Sequence, residues 1–374
     1  MGDMPFPPLV APASALPDGE SERAARQIRL PEIGEDGQRR LFASRVCVIG
    51  AGGLGSPVLL YLASAGIGTI CIVDDDVVDT SNLQRQVLFG VADVGRLKGH
   101  VASERIRDLS PHTTVVREHE RLTAGNAERI LAGFDLVIDG SDTFDTRYAV
   151  ADACDALGVP LVWGSVLRFD AQATVFWSRP PHGEPVRLRD VFPTAPPAED
   201  VPTCADAGVL GALCGQVGAL LAAEAVKLIC GIGDPIVGRM LVIDALSART
   251  REVPLVPASV TAPASVTEHA PRAVARTIAP EDLDRLGDVL LLDVREDDEF
   301  RAGSIPGAVS IPLGRLRADP SLVVVDRPVV VFCQIGPRAR AAASALRAVA
   351  PDAEILLLDG GYQAWSAGAS AANA

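Results

Sequence analysis

Short apolar runs and longer segments of helical periodicity alternate along this chain. Residues 46–49 form an apolar run of strand length, a glycine-rich turn follows at 50–55, residues 56–66 have a helical period, and 69–73 is a second apolar run. This order of strand, turn, helix and strand is a βαβ unit. It predicts a Rossmann-like, doubly wound α/β sheet with parallel strands.

The alternation continues to residue 230. Periodicity predicts helices near 98–109, 123–132 and 145–157, and strands near 113–117, 135–139, 161–165 and 171–177. Residues 180–202 are proline-rich and have no period. The apolar run at 208–230 is long enough for a membrane span, but its small residues, with Glu224 and Lys227, favour a buried or dimer-interface helix.

Residues 254–280, rich in Pro, Ala, Val, Ser and Thr, interrupt the pattern as a linker would. After them come apolar runs at 289–294, 328–332 and 354–358 and a helical segment at 338–349, which is enough for a small α/β domain. We therefore predict a disordered tail over 1–20, a first domain over 21–257, a linker over 258–273 and a second domain over 274–370.

Composition narrows the possible partners. The chain has 34 Lys and Arg against 48 Asp and Glu, a net charge of −14, which argues against nucleic acid and favours a nucleotide or a small protein. The first residues lack a signal-peptide pattern, so a cytoplasmic location without a membrane partner is expected. The seven cysteines form no CxxC pair, which indicates neither a disulfide framework nor a zinc site.

The glycine turn predicts a nucleotide site. Gly50, Gly52, Gly53 and Gly55 open the first helix, where small residues let backbone N–H groups approach a phosphate. Asp74 ends the next strand, as the acidic residue of a nicotinamide dehydrogenase would. These two features alone favour NAD.

Further polar residues favour a different nucleotide chemistry. Residues 74–76 are three aspartates, 81–86 read Ser-Asn-Leu-Gln-Arg-Gln, Lys98 follows, and 139–142 read Asp-Gly-Ser-Asp. An adenylating enzyme must neutralise a triphosphate, hold Mg²⁺ and stabilise the charge on departing pyrophosphate. A dehydrogenase needs no such set, so ATP is the predicted nucleotide.

These residues bring the chain close to a known family. Residues 21–257 resemble the MoeB/ThiF branch of the ubiquitin-activating superfamily, through the stretches 26–28, 50–57, 72–76, 81–86, 139–142 and 203–208. The resemblance implies that Asp74 binds the adenosine ribose and that Arg85 and Lys98 contact phosphates. It also places Asp76 and Asn82 in the nucleotide site.

The same resemblance implies a Mg²⁺ ion and a homodimer. Asp142 would hold the Mg²⁺ that accompanies ATP, and Arg26 would reach the triphosphate bound to the other subunit. Most relatives bind structural zinc through two CxxC pairs, but the corresponding positions here, 187–190 and 254–257, contain no cysteine. No zinc is therefore expected, as in a zinc-free, MoeZ-like subgroup.

A second chemical loop lies in the second domain. It consists of Cys333, Gln334, Ile335, Gly336, Pro337 and Arg338. A thiolate between a strand and a helix N-terminus, with an arginine closing the loop, should have a lowered pKa. Residues 274–370 resemble a rhodanese domain, which implies a persulfide on Cys333. Phosphatases of this fold have five residues between Cys and Arg, whereas four lie between Cys333 and Arg338. The spacing therefore favours a persulfide carrier over a phosphatase.

Cys204 is a second candidate sulfur. It precedes the predicted helix at 208–230, where relatives have a cysteine able to attack an acyl-adenylate or to resolve an acyl disulfide. The alternative is a small structural residue near a helix start.

Together the motifs and the two family resemblances imply an adenylyltransferase fused to a sulfurtransferase. It would adenylate the C-terminal Gly-Gly of a ubiquitin-like sulfur-carrier protein and convert it to a thiocarboxylate, with Arg85 and Asp142 acting in catalysis and Cys333 and Cys204 in sulfur transfer. Thiosulfate or a persulfidated desulfurase would supply the sulfur, for molybdopterin, thiamine, cysteine or another product. The alternatives are a nicotinamide-dependent oxidoreductase with a regulatory rhodanese domain and a non-catalytic scaffold.

Overall fold

A computed structural model describes residues 6–195, 207–256, 276–334, 336–350 and 353–372. The chain divides into two compact units, one of residues 1–195 and 203–260 and one of residues 196–202 and 261–374. Each unit contains its own sheet.

The first unit is built on an eight-stranded sheet of order β3-β2-β1-β4-β5-β6-β7-β8. The strands are β1 Arg45–Ile49, β2 Thr69–Val73, β3 Thr114–Glu118, β4 Leu136–Asp139, β5 Leu161–Leu167, β6 Asp170–Phe176, β7 Arg239–Asp244 and β8 Arg249–Pro254. β1 to β5 pair in parallel, whereas β6, β7 and β8 are antiparallel. The predicted doubly wound sheet is confirmed.

Helices cover both faces of this sheet. Their bounds are Glu20–Arg23, Ala25–Ile28, Gly34–Ala43, Gly55–Ala65, Lys98–Leu109, Ala127–Leu131, Phe144–Leu157, Leu188–Val191 and Gly211–Cys230, with 3-10 turns at Thr80–Asn82 and Val91–Asp93. Along β1, Val46 and Val48 join one apolar layer and Cys47 and Ile49 the other. This period of two shows that β1 is buried on both faces.

The helix Gly211–Cys230 is long and apolar enough to cross a membrane by length and composition, but most of it is buried inside the first unit. Leu213, Val217 and Leu221 lie in the core. Glu224 is also buried; it accepts a hydrogen bond from Ile236 N at 2.9 Å and pairs with Lys227 at 2.5 Å. The buried-helix prediction fits this packing.

The N-terminal segment differs from the disordered tail predicted over 1–20. The Phe6 ring stacks on the Trp177 ring, with 6.2 Å between the ring centroids. Leu9 N donates a hydrogen bond to Leu228 O at 3.2 Å, and the Arg40 side chain donates one to Val10 O at 2.7 Å. Apolar anchors and backbone hydrogen bonds therefore hold residues 6–10 against the first unit, although the composition of residues 1–20, rich in Pro and Ala, predicts a disordered tail.

The second unit has a five-stranded sheet of order β11-β10-β12-β13-β9, whose pairs are all parallel. The strands are β9 Thr277–Ile278, β10 Leu290–Asp293, β11 Val309–Ser310, β12 Val329–Phe332 and β13 Ile355–Leu358. The helices are Asp297–Ala302, Leu313–Ala318, Pro337–Val349 and Gly361–Ala372, with 3-10 turns at Pro280–Arg285 and Pro320–Leu322. A small α/β unit is therefore present, as predicted.

Candidate functional site

The glycine turn lies at the point where the strand order of the first sheet reverses. β1 has β2 on one side and β4 on the other, and the turn leaves the carboxyl end of β1, where ligands of doubly wound sheets bind. Gly50, with φ 83°, and Gly52 and Gly53 line a cavity of about 230 Å³. The turn is thus placed to contact a ligand through its backbone.

Gly55 serves the turn without lining the cavity. A Cβ built on Gly55 would lie 1.8 Å from Gly50 O, so the first turn of the helix Gly55–Ala65 packs directly on the glycine turn. Gly55 therefore permits the close approach of two backbones and does not face the ligand.

We expect Gly55→Ala to lower the melting temperature by about 10 °C, since overpacking against backbone costs roughly 3 kcal/mol. Gly215→Ala is the matched control, because a Cβ on this helical glycine meets no atom within 4 Å. The control should be stabilised by roughly 0.5–1 kcal/mol. Thermal unfolding followed by circular dichroism checks both, and an unchanged Gly55→Ala would contradict the assigned contact.

Acidic and basic side chains line one wall of the cavity. Asp74 accepts hydrogen bonds from Ala51 N at 2.7 Å and from Asp76 N at 3.0 Å, and its burial raises its pKa. Lys98 is 5% exposed and pairs with Asp76 at 2.8 Å. Asp74 therefore ties the strand β2 to the glycine turn, and Lys98 holds its charge at the cavity.

The loop after β4 supplies the opposite wall. Asp139 is buried and accepts from Ser141 N at 2.9 Å, and desolvation raises its pKa. Arg147 donates to Ser141 O at 3.0 and 3.2 Å and to Ser165 at 3.1 Å. These contacts fix a loop that presents Asp142, an exposed carboxylate, to the cavity.

The structure brings most of the predicted nucleotide residues to this one cavity. They are Gly50, Gly52, Gly53, Asp74, Asp76, Arg85, Lys98 and Asp142. Besides Gly55, two others do not line it in their own chain. Asn82 belongs to the 3-10 turn Thr80–Asn82, where it accepts from Asp79 N at 3.4 Å, and Arg26 is exposed on the helix Ala25–Ile28.

Sequence reasoning missed several lining residues. They are Glu120, Arg121, Leu122, Arg147 and Cys214. Gln86, which the sequence placed in the stretch 81–86 without a role of its own, lines the cavity as well. Cys214 offered no sequence signal: its Sγ lies 3.1 Å from the position of a Cβ on Gly53, a contact between segments far apart in the chain.

The position of one expected CxxC pair is taken by charged side chains. Residues 187–190 form the start of the short helix Leu188–Val191, where Arg187 N donates to Asp190 at 2.7 Å. Arg189 holds Asp152 through two hydrogen bonds of 2.7 Å. Within the described ranges, no group of three His, Cys, Asp or Glu side chains could hold a metal.

In the second unit, Cys333 follows β12 and is 1% exposed. Its Sγ accepts a hydrogen bond from Gly336 N at 3.1 Å. A Cβ on Gly361 would lie 2.4 Å from Cys333 O, so the start of the last helix packs on the cysteine. The loop thus holds the sulfur against backbone N–H.

The loop arginine makes an unexpected contact. The sequence analysis expected Arg338 to close the Cys333 loop, but its guanidinium donates hydrogen bonds to both carboxylate oxygens of Glu299, at 2.5 and 2.7 Å. Arg295, also near the loop, pairs with buried Asp293 at 2.7 Å and donates to Gln334 at 3.1 Å. Ile335 and Cys204, both predicted site residues, lie outside the described residues.

A doubly wound sheet with a cation-lined cavity at its glycine turn, joined to a unit with a buried cysteine loop, defines a two-site nucleotide and sulfur enzyme. Comparison with known proteins makes this more specific. Residues 24–263 match the ThiF family and residues 279–368 the rhodanese-like domain. The chain belongs to the ThiF family and carries a rhodanese-like domain.

Two relatives and one solved structure extend this result. The chain is 43% identical to the probable adenylyltransferase/sulfurtransferase MoeZ of Mycobacterium tuberculosis, over 96% of each chain. It is 48% identical to a sulfur carrier protein adenylyltransferase of Thermus thermophilus, over 63% of this chain and 87% of that protein. E. coli MccB in complex with MccA-N7isoASN, 20% identical, shares the fold with a TM-score of 0.56 over 65% of this chain and 75% of that one.

The activity follows from the family and the relatives. The chain is an adenylyltransferase and sulfurtransferase, and its nucleotide is ATP. The relatives support this prediction and give no support to the nicotinamide-dependent oxidoreductase.

Proposed function

We propose that the chain activates the C-terminal glycine of a ubiquitin-like sulfur-carrier protein with ATP and converts it to a thiocarboxylate. The observation that carries the proposal is the presence in one chain of the cation-lined cavity and the Cys333 loop. The printed name of the Thermus thermophilus relative supports a sulfur-carrier protein as the partner.

Activation makes the carrier carboxylate electrophilic. A carboxylate oxygen of the carrier attacks the α-phosphorus of ATP, pyrophosphate leaves, and an acyl-adenylate forms. Lys98 and Arg85 line the cavity and would neutralise phosphate charge there. Asp142, the exposed carboxylate of the loop after β4, would hold the Mg²⁺ that accompanies ATP, and this ion would supply charge stabilisation for the leaving pyrophosphate.

Sulfur transfer then uses Cys333. Its thiolate takes a sulfane sulfur from thiosulfate, releasing sulfite, or from a persulfidated desulfurase, releasing a thiolate. The persulfide attacks the acyl carbon and AMP leaves, which gives an acyl disulfide. We propose that Cys204 attacks Cys333 Sγ, so that the thiocarboxylate departs and a Cys204–Cys333 disulfide remains for an external thiol to reduce.

Intact-mass analysis of carriers ending in Gly-Gly tests this function. After incubation with ATP, Mg²⁺, thiosulfate and a thiol reductant, the correct carrier should gain the mass of one oxygen-to-sulfur exchange. A reaction without ATP is the control. If no carrier is adenylated while ATP hydrolysis proceeds, the carrier proposal is wrong.

We propose that the chain contains no structural zinc. The ion pair of Arg189 with Asp152 supports this, because it connects the segment to the helix Phe144–Leu157 through an arginine and a carboxylate rather than through cysteine ligands. Elemental analysis of purified protein should find far less than one zinc per chain. Stoichiometric zinc that survives a chelator would contradict the proposal.

We also propose a homodimer in which Arg26 of one subunit serves the ATP site of the other. An inactive Arg26→Ala chain mixed with an inactive Asp142→Ala chain should recover activity, because in the mixed dimer one site carries both changes and the other carries neither. Subunit exchange is verified by mass spectrometry. Arg29→Ala, which removes a neighbouring exposed arginine, should remain active by itself.

Absence of recovery despite demonstrated exchange would mean that Arg26 does not act across the dimer.

We also propose a cytoplasmic location, without a nucleic-acid or membrane partner. The net charge of −14 and the six free cysteines among the described residues support it, since reducing compartments keep thiols free.

A further inference from the structure

The charge of the Cys333 loop is set by a residue outside it. Arg338, five positions after Cys333, makes a two-pronged ion pair with Glu299, 39 positions away in sequence. Both side chains are about 30% exposed, at 29% and 31%. The pair therefore lies where a sulfur donor can approach it.

Glu299 is itself firmly held. Besides Arg338, its carboxylate accepts from Glu296 N at 3.0 Å, at the start of the helix Asp297–Ala302. The hydrogen bonds from the Arg338 guanidinium are the main cause of the lowered pKa of Glu299, and Glu299 in turn raises the pKa of Arg338. Glu299 thus remains an anion beside the loop.

The pair counteracts the binding of anionic donors. A cation that already shares two hydrogen bonds with a carboxylate has fewer donors for a second anion, and that second anion is also repelled by the carboxylate. Arg295 is neutralised in the same way by Asp293, and the Arg340 guanidinium lies near Gly336 of the same loop.

We propose that Glu299 is a specificity-determining residue that selects sulfur donors by charge, disfavouring a dianion relative to a monoanion. The inference rests on the proposed role of Cys333 as persulfide carrier. Its chemistry is the same for each donor: the Cys333 thiolate attacks the sulfane sulfur, the sulfur–sulfur bond of the donor breaks, and sulfite or a sulfinate leaves with the electron pair.

Two small donors share the same chemistry and differ in charge. Thiosulfate carries two negative charges and methanethiosulfonate one, and the full-length protein should transfer sulfur from either through Cys333 to cyanide, giving thiocyanate. Glu299→Gln removes the charge and keeps the shape. It should lower KM for thiosulfate about 10-fold and KM for methanethiosulfonate about 3-fold, because a dianion feels twice the Coulomb repulsion of a monoanion.

A positioning role for Glu299 would produce a different pattern. Loss of Arg338 geometry or of the helix start would lower kcat for both donors alike, whereas the charge role changes KM in the order of donor charge and leaves kcat within about twofold. Glu354→Gln is the matched control, since exposed Glu354 precedes β13 at the opposite end of the sheet from the loop.

The results separate the two proposals. Thiocyanate formation with unchanged, equally lowered or raised KM values in Glu299→Gln would overturn the charge selection and leave the role of Cys333 intact. Absence of thiocyanate from both donors with the unsubstituted protein would overturn the role of Cys333, and the selection with it.

Discussion

Asp142→Ala should reduce carrier-dependent ATP–pyrophosphate exchange by about 10³-fold, because the charge that a metal ion stabilises on a phosphoryl group is worth several kcal/mol. The fold should survive. Asp142 is exposed at the cavity, and the buried contacts of its loop are made by Asp139 and Arg147. Pyrophosphate exchange isolates the adenylation step, so the rhodanese-like domain does not affect the result.

Two further variants sharpen this test. Asp142→Asn keeps the side-chain volume but weakens metal binding, so the Mg²⁺ concentration for half-maximal exchange should rise. Asp145→Ala removes an exposed carboxylate three residues later, on the helix Phe144–Leu157, and should exchange at nearly the normal rate. Near-normal exchange in folded Asp142→Ala would remove Asp142 from the metal site.

The central sheet of the first unit could be predicted because each of its strands has a recognisable pattern in its own contiguous residues. β1 and β2 are contiguous apolar runs beside glycines, and burial on both faces requires that pattern. β8 could not be found this way. All its residues are exposed and most are polar, so it exists through its antiparallel pairing with β7.

The residues of the candidate sites also fall into those with a signal in the sequence and those brought in by tertiary packing. Asp74 and Asp142 were expected at the nucleotide site through the family resemblance, and both follow parallel strands whose carboxyl ends meet at the cavity. The partner of Arg338 was not, because Glu299 lies 39 positions away and reaches the loop through tertiary packing. Arg147 was missed for the same reason: its contact with Ser165 crosses from a helix to β5.

Cys333→Ala should abolish thiosulfate:cyanide sulfur transfer, by at least about 10³-fold, and leave carrier adenylation unchanged. Sulfur transfer needs the nucleophile itself, whereas ATP chemistry takes place in the first unit with different residues. Cys333→Ser separates chemistry from structure, because its hydroxyl can still accept the hydrogen bond from Gly336 N but cannot carry a persulfide. Both variants should be equally inactive in sulfur transfer.

Cys230→Ala is the control for the loss of a buried thiol. Burial raises the pKa of Cys230 to about 11, so this thiol stays protonated at neutral pH and should contribute to neither activity. Thiocyanate formation and pyrophosphate exchange, measured on the same preparations, should therefore be normal in Cys230→Ala. In Cys333→Ala only thiocyanate formation should be lost. Equal loss of both activities would mean that the nucleotide and sulfur sites depend on each other, because a thiolate with no part in ATP chemistry can reduce exchange only through such coupling.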